Sequence, residues 1–399
     1  MIRRQPVLRT TLAAASVVAL ASLAACSTHS ASPVSGSAPA TSSDASSAPT
    51  PSSSASSSAS TGSASASSSS STATGTGVTV ANHWTATHTG GGAIAAAVAG
   101  GKLWVSYALT GGAQGSMHGE LVGYSLATGH PEVTAQVGAF PVAVAASSAG
   151  VWVANGVGDG SQPNSPLLNT VEQLTTSGKV VKTSRIAGPS ALAASDSNAW
   201  VYFTSGQKAH VSPVSPTTSG PAPSDVALPG QPEGGQPGTS PLAYCDGKVF
   251  AVSAGQGPGP VTLTELGATA AQVARISVAA QVPSLACTST GAPVLVLTGQ
   301  SSVLVSKATG YKPVTLHASG DSSVAEGGGR LWLASASGGT VRITSIDDSG
   351  TATSSPVSAP ASQAPLLAGD NSGLWVVAPS LSQGSATLRV EHLTASGGR

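Results

Sequence analysis

The sequence is short of charge and of aromatic side chains, and each shortage narrows what the protein can be. Only 8% of its 399 residues are charged and the formal net charge is zero, so no basic patch indicates nucleic-acid binding. Aromatic residues make up 4% of the chain, which favours a sheet protein packed with small side chains. The apolar fraction of 40% argues against disorder of the whole chain, despite 48 glycines and 27 prolines.

Sequence motifs of common chemistries are also missing. The chain contains no Gly-x-Ser-x-Gly elbow, His-Glu-x-x-His pair, Cys-x-x-Cys pair or phosphate loop. Its histidines are scattered without the spacing of metal ligands. Residues 158–161 resemble part of a calcium loop, but one carboxylate cannot supply the roughly six to eight oxygen ligands of such a site. The sequence therefore predicts no metal, no cofactor and no catalytic residue.

The first 25 residues have the pattern of an export signal. Three arginines precede an apolar run at 11–23, which is too short to span a bilayer as a stable helix. The run ends in Leu-Ala-Ala-Cys at 23–26, which resembles the bacterial lipobox. The resemblance implies that Cys26 is lipidated, as by palmitate. A plain secretory signal beside an unrelated cysteine is the alternative.

A lipidated chain would start at Cys26, anchored in the outer leaflet of the bacterial plasma membrane. More than one acyl chain gives stable anchoring. Residues 26–77 are almost wholly Ser, Ala, Thr, Pro and Gly, so they are predicted to form a disordered tether. Without the leader, 13 basic and 16 acidic residues remain, a net charge of −3. The predicted organisation is a leader at 1–25, a tether at 26–77 and one folded domain at 78–399.

One short phrase recurs seven times in the predicted folded part. It consists of a small-residue stretch, a tight turn and a β-rich triplet with a large apolar centre. The centres follow one another at intervals of 37 to 50 residues, close to the length of one four-stranded propeller blade. The sequence therefore predicts an all-β fold, a seven-bladed β-propeller of four-stranded antiparallel blades. The centres are Trp104, Trp152, Trp200, Phe250, Leu295, Trp332 and Trp375.

The register of the repeat assigns its conspicuous residues to architecture. A large residue at one depth of every blade is placed to pack between neighbouring blades, with an aromatic ligand platform as the alternative. Asp196, Asp246 and Asp370 fall in first hairpin turns, which favour Asp, Asn and Gly. The last repeat has no fourth strand of its own, so the β-like stretch 78–87 is predicted to complete it and to close the ring.

The repeats resemble those of bacterial extracytoplasmic propellers of the YVTN and streptogramin-lyase-like kind. The resemblance rests on Val-Trp-Val-Ala-Asn at 151–155 and Thr-Gly at 128–129, and it covers about residues 78–399. It implies the propeller fold. Streptogramin lyases bind magnesium and use histidine chemistry, and no His or Glu of this sequence can be matched to those positions.

Two cysteines occupy equivalent inner-strand positions in adjacent repeats. Cys245 and Cys287 each stand four residues after a proline. Outside the cytoplasm such a pair favours a disulfide, which needs Cα atoms roughly 4.4 to 6.8 Å apart. Two buried thiols are the alternative.

Loop length is the one asymmetric feature of the repeats. Connections from second to third strand and from one blade to the next share a face of a propeller, and the long ones are 109–118, 155–169 and 229–240. Because function often lies on such loops, the sequence predicts a non-catalytic, monomeric module that binds a protein, peptide or cell-wall ligand there. Tolerated insertion is one alternative, and a lyase- or lactonase-like enzyme with its site at the channel mouth is another. The predicted ligand residues are Met117, His118, Asp159, Gln162, Asn164 and Glu233.

Overall fold

The fold is all-β, in seven four-stranded antiparallel sheets. A computed structural model describes residues 77–109, 118–156, 168–214, 225–232, 238–254, 260–266, 270–277, 280–299, 302–316, 321–353, 357–360, 364–382 and 385–395. Within these ranges there is no helix with the length and apolar character that a bilayer crossing requires. The leader, Cys26 and the tether up to residue 76 lie outside the described residues.

Each sheet is one blade of a propeller, and the predicted seven-bladed fold is confirmed. The first strand, β1 (Val78–Thr89), belongs to the last blade. Blade 1 contains β2 (Gly91–Ala99), β3 (Lys102–Leu109), β4 (Gly119–Ser125) and β5 (Pro131–Val137). Blade 2 contains β6 (Pro141–Ser147), β7 (Gly150–Asn155), β8 (Thr170–Leu174) and β9 (Val180–Arg185). Blade 3 contains β10 (Pro189–Ala194), β11 (Ala199–Ser205), β12 (Lys208–Val214) and β13 (Val226–Ala227).

The remaining four blades repeat this order. Blade 4 contains β14 (Leu242–Cys245), β15 (Lys248–Ser253), β16 (Val261–Leu266) and β17 (Ala270–Ile276). Blade 5 contains β18 (Ala280–Cys287), β19 (Pro293–Gly299), β20 (Val303–Ser306) and β21 (Val314–Thr315). Blade 6 contains β22 (Asp321–Gly327), β23 (Arg330–Ser337), β24 (Thr340–Ile346) and β25 (Val357–Pro360). Blade 7 contains β26 (Leu366–Asp370), β27 (Gly373–Ser382), β28 (Ser385–Ala395) and β1.

The ring is closed by the N-terminal strand, as the sequence predicts. Consecutive inner strands contact one another, and β26 contacts β2. β1 pairs with β28 from Val78↔Ala395 to Thr89↔Ser385 and forms the outer strand of blade 7. Trp84 of β1 is 5% exposed and packs in the apolar cluster between blades 7 and 1. The two ends of the domain therefore stabilise one sheet.

The core lies between the blades rather than in the channel. Six of the seven triplet centres are at most 4% exposed, which confirms the prediction that they pack between sheets. The exception is Trp200, which is half-buried and stacks on Tyr244 with ring centroids 4.9 Å apart.

The ring has two faces with different connections. The hairpin face carries the turns between first and second and between third and fourth strands, and the loop face carries the other connections. Asp196, Asp246 and Asp370 lie in first hairpin turns, as predicted. Asp370 shows why, because its Oδ1 accepts the N–H groups of Ser372 at 2.7 Å and Gly373 at 3.1 Å.

Candidate functional site

The inner strands enclose a central channel of about 400 Å³. Its wall is mostly small or aliphatic side chains, such as Ala96, Val144 and Leu192. The Ser284 hydroxyl in the wall already accepts the Val324 N–H of the next blade at 3.0 Å. Glu326 is the carboxylate of the described wall. The channel is therefore built as an apolar joint between blades.

The mouth of the channel on the hairpin face is more polar. Glu326 Oε1 accepts the Gly329 N–H at 2.9 Å; burial raises the pKa of Glu326 and the nearby charge of Asp370 adds to that rise. The Ser372 hydroxyl lies 2.5 Å from Asp370 Oδ1, to which it donates, and 3.2 Å from His392 Nε2. Burial lowers the pKa of His392. A carboxylate, a hydroxyl and an imidazole thus meet at the first hairpin turn of blade 7, on the hairpin face.

Asp370 and His392 are also held by structural contacts. Trp375 donates its indole N–H to Asp370 Oδ2 at 3.2 Å, and the His392 ring stacks on Trp375 at 4.2 Å between centroids. Asp370 therefore has both carboxylate oxygens occupied by donors of its own hairpin. These contacts serve primarily to order the hairpin turn.

The cysteine pair lies between the inner strands of blades 4 and 5. A disulfide joins Cys245 to Cys287, with Cα atoms 5.4 Å apart. This spacing is within the range that a disulfide needs. Its formation in the cell stays a prediction, because it depends on an oxidising compartment. Free thiols in the denatured, unreduced protein would contradict it.

Of the six predicted ligand residues, His118 alone lies among the described residues, where it is half-buried just before β4. Met117, Asp159, Gln162, Asn164 and Glu233 lie outside the described residues and stay predictions. The long connections that hold them start and end on the loop face, beside blades 1 and 2 and between blades 3 and 4.

A cluster of polar groups, called the crevice below, lies on this loop face between blades 1 and 2. Glu172 Oε2 accepts the Gly138 N–H across the two blades at 3.1 Å. Asn155 Nδ2 donates to Thr170 Oγ1 at 3.1 Å. Asn155 pairs with Thr170 in the sheet, and Val153 with Glu172, which places all three polar side chains on the side facing blade 1. The crevice is defined by six residues: His118, Gly138, Phe140, Asn155, Thr170 and Glu172.

The carboxyl group of Glu172 is the charged centre of the crevice. Burial raises its pKa, whereas the hydrogen bonds from Gly138 and Asn155 and the charge of nearby His118 lower it. The net effect is a raised pKa, so the surrounding donors do not fully compensate for the lost solvation. A ligand that supplied positive charge would stabilise the ionised form.

Asn155 contributes an acceptor without a donor. The side chain is 0% exposed, and its Oδ1 has no hydrogen-bond partner among the described residues. Leaving a buried acceptor unpaired costs roughly 1–3 kcal/mol. The crevice therefore contains a second oxygen, beside the Glu172 carboxylate, that favours an N–H or O–H donor.

Phe140 lies beside the crevice and has a backbone conformation that is unfavourable for a phenylalanine. Its φ is +54°, and the residue is 36% exposed. The left-handed region costs an L-residue roughly 1–2 kcal/mol. The Phe140 carbonyl accepts the Gly156 N–H at 3.0 Å, directly after Asn155. Non-glycine residues in this conformation cluster at functional sites.

The next blade has a glycine at the equivalent position of this turn. Gly188 precedes Pro189 as Phe140 precedes Pro141, and its φ is +57°. Its carbonyl accepts the Thr204 N–H at 3.3 Å, in the same place as the bond to Phe140. Glycine makes this turn without strain. At Phe140, by contrast, a partly exposed phenylalanine has the left-handed conformation that glycine adopts without strain.

Sequence reasoning missed Phe140, Asn155 and Glu172. Asn155 ends the strand motif at 151–155, a pattern that indicates a blade strand and no site. A signal for Phe140 was present, since aligning 140–141 with 188–189 sets an aromatic residue against a glycine. Glu172 had no signal, because only the packing of two blades brings it to Gly138.

A histidine and tyrosine cluster lies at the neighbouring seam, between blades 7 and 1. His88 Nε2 is 3.3 Å from Glu120 Oε2, and its ring stacks on Tyr107 at 3.8 Å. The Tyr107 and Tyr124 hydroxyls are 2.7 Å apart, and burial raises the pKa of Tyr124 to about 12. These contacts bind the closing strand β1 to blade 1. Among the described residues, no three His, Cys, Asp or Glu side chains are grouped as metal ligands.

The structure is similar to several solved propellers at low sequence identity. The Cps50 (Swd1) β-propeller domain of Myceliophteria thermophila is 12% identical, with a TM-score of 0.52 over 78% of this chain and 99% of that one. Acylaminoacyl peptidase of Pyrococcus horikoshii is 7% identical, with a TM-score of 0.50 over 75% of this chain and 51% of that one. Virginiamycin B lyase of Staphylococcus aureus, solved with quinupristin, is 13% identical, with a TM-score of 0.48 over 78% and 99%.

The two similarities with TM-scores of 0.52 and 0.50 show the fold and nothing about activity. No protein-family model matches the chain. No curated protein matches it either.

Proposed function

We propose that this protein is a lipid-anchored extracytoplasmic lipoprotein whose propeller is a non-catalytic binding module. Cys26 would hold it in the outer leaflet of the bacterial plasma membrane. The loop face over blades 1 and 2 would bind a protein, a peptide or a cell-wall ligand. The observation that carries this proposal is Phe140, a partly exposed ring in a turn that favours glycine.

The position of the first strand supports this arrangement. β1 starts at Val78, opposite Ala395 at the end of β28, and both residues lie on the hairpin face. A tether joined at residue 77 therefore meets the domain on that face. The loop face, with the crevice, lies on the opposite side of the ring of blades from this attachment point.

The anchor can be tested by metabolic labelling with radioactive palmitate. We expect the full-length chain to incorporate the label and to sediment with membranes, and Cys26→Ser to lose both properties. Labelling of the Cys26→Ser chain at the wild-type level would contradict a lipid on this residue.

The binding face can be tested by pull-down with the full-length chain in detergent. We compare the wild type with a variant whose loops 155–169 and 229–240 are shortened, and with Val181→Ala, which changes an exposed residue of an outer strand. Partners lost from the loop variant and kept by Val181→Ala would support the loop face. Equal recovery by all three chains would exclude it.

The alternative is a lyase- or lactonase-like enzyme with its site at the channel mouth. The contact of Ser372 with both Asp370 and His392, next to Glu326, favours the hairpin-face mouth for such chemistry. A histidine with a lowered pKa is available as a general base at neutral pH. Lactone opening that is lost in His392→Gln, with an unchanged melting temperature, would support the enzyme; a wild-type chain without turnover would reject it.

A further inference from the structure

We infer that the crevice between blades 1 and 2 binds a cation that carries N–H donors, an ammonium or guanidinium group. The inference rests on the proposed binding function of the loop face and names the ligand chemistry of one part of it. It depends on three neighbouring features of the crevice: an incompletely compensated carboxylate, an unpaired acceptor and an exposed aromatic ring.

The polar atoms of the crevice select for donors. Glu172 receives hydrogen bonds from Gly138 and Asn155, yet burial still outweighs them, as its raised pKa shows. Asn155 Oδ1 is buried and without a partner among the described residues. Both groups are acceptors, so an anionic ligand would repel the Glu172 carboxylate and leave the Asn155 amide oxygen unpaired. A cationic donor would compensate the carboxylate and provide N–H groups for the amide oxygen.

The aromatic ring suits the same ligand. A cation over the face of an aromatic ring within roughly 6 Å of its centroid is attracted by the ring quadrupole. The backbone of Phe140 is tied to the residue after Asn155 and lies two residues beyond the N–H that binds Glu172. The Phe140 backbone is therefore next to the groups that hold the two acceptors, and the residue is 36% exposed.

His118 is the group that would compete with the ligand. His118 lies in blade 1, and its Coulomb interaction with Glu172 lowers the pKa of that carboxyl. A protonated imidazole there partly compensates the carboxylate and repels a second cation. Removing it is expected to strengthen cation binding, which is opposite to the effect of removing any other member of the crevice.

The chain offers a direct probe, because it contains three phenylalanines. We label the full-length chain in detergent with 4-fluorophenylalanine and record fluorine NMR spectra. Phe140→Gly identifies the Phe140 signal by its loss, and the signals of the buried Phe203 and Phe250 report that each variant is folded. The probes are acetyl-Gly-Lys-Gly-amide, its norleucine counterpart, its glutamate counterpart and n-butylammonium.

We expect the lysine peptide to shift the Phe140 signal in a saturable way, and the norleucine and glutamate peptides to leave it unchanged. Glu172→Gln should weaken the lysine peptide about tenfold or more, as expected for loss of one charge-assisted hydrogen bond. His118→Gln should bind it more tightly, and Val181→Ala should bind it as the wild type does. Binding of n-butylammonium at the same affinity would identify a free amine as sufficient; weaker binding would assign the ligand to a peptide.

Equal shifts with the norleucine and lysine peptides, or unchanged affinity in Glu172→Gln, would overturn the inference. These results are distinguishable from failure of the proposed function. If no cation binds while loop shortening still removes a partner, the loop face binds and its chemistry is different. If loop shortening removes nothing, the binding face itself is wrong.

Discussion

The junction of blades 1 and 2 and the junction of blades 2 and 3 have the same backbone and opposite side chains. At both, the residue before an inner-strand proline is left-handed and its carbonyl accepts one equivalent N–H. At the first junction this residue is Phe140, and at the second it is Gly188. The aromatic ring is thus outside the sheet at one junction and absent at the other.

The interiors of the two junctions are reversed in the same way. In the strand register, Phe203 of blade 3 stands where Asn155 stands in blade 2, and Ser212 where Glu172 stands. Phe203 is 8% exposed and belongs to an apolar cluster. The junction of blades 2 and 3 therefore buries the ring of Phe203. The junction of blades 1 and 2 has polar residues in its interior and leaves Phe140 partly exposed. A repeat built only for stability would favour the second pattern at both places.

We expect the largest loss of stability from opening the ring of blades. This loss is the reference for the changes at the two junctions. Deleting residues 78–89 removes the outer strand of blade 7 and the buried Trp84. Trp84→Ala alone should cost roughly 3–5 kcal/mol, because a large side chain leaves a cavity. Thermal unfolding followed by circular dichroism measures both. An unchanged melting curve of the deletion variant would contradict the closure.

Removing the aromatic ring of Phe203, which is buried at the second junction, should lower the free energy of unfolding nearly as much. Phe203→Ala is expected to cost roughly 3–5 kcal/mol, since the side chain packs in the cluster between blades 2 and 3. Urea denaturation with tryptophan fluorescence gives the free energy of unfolding. A cost below that of Phe140→Gly would remove the distinction between a buried and a displayed ring.

Placing a ring at the second turn tests the backbone itself. Gly188→Phe should destabilise the chain by about 1–2 kcal/mol, because the left-handed conformation then has to be adopted by an L-residue. It should add no cation binding, since the acceptors of the first crevice are missing there. Denaturation and the lysine-peptide titration measure the two properties, and an equally stable variant would show that the turn tolerates any residue.

The reverse change at the first turn should have a small effect on stability. In Phe140→Gly, relief of the strained turn offsets the greater freedom of the unfolded chain and the lost ring contacts, so the change should stay within about 1 kcal/mol. Ligand binding should nevertheless fall. A loss of stability as large as that of Phe203→Ala would make Phe140 a packing residue and not a binding one.

The smallest effect concerns the pH dependence of stability. Burial raises the pKa of Glu172 in the folded chain above its usual 4.5, so the folded state binds the proton more tightly than the unfolded state. The contribution of Glu172 is most favourable below pH 4.5 and is lost as the pH rises through the raised value. The stability of Glu172→Gln relative to that of the wild type should therefore increase from about pH 4 to about pH 7. Urea midpoints at both pH values measure it, and a constant difference would contradict the assigned shift.

Much of the fold could be predicted because the blade repeats. Each triplet marks a second strand, and a side chain at one depth must be buried when sheets cover both of its faces. Trp104 and Trp152 follow this rule completely. Trp200 is only half-buried, and its ring stacks on Tyr244 of the neighbouring inner strand. No local pattern reports which neighbour a residue meets in the next blade.

The candidate site was less predictable for the same reason. His118 was named from loop length, and it lies at the crevice. Glu172 lies in a strand that has no unusual local feature, and its partner Gly138 is 34 residues away in another blade. Hydrogen bonds between blades depend on how sheets pack, which a period in the sequence does not describe.

The sequence by itself determined the number of blades, their strand order and the strand that closes the ring, because alternation, turn residues and one repeat length act within each blade. Only the tertiary structure decided that two blades of almost equal pattern enclose different interiors. Burial, the raised pKa of Glu172 and the unpaired oxygen of Asn155 arise where two sheets meet. They are properties of the contact between blades and of no single blade.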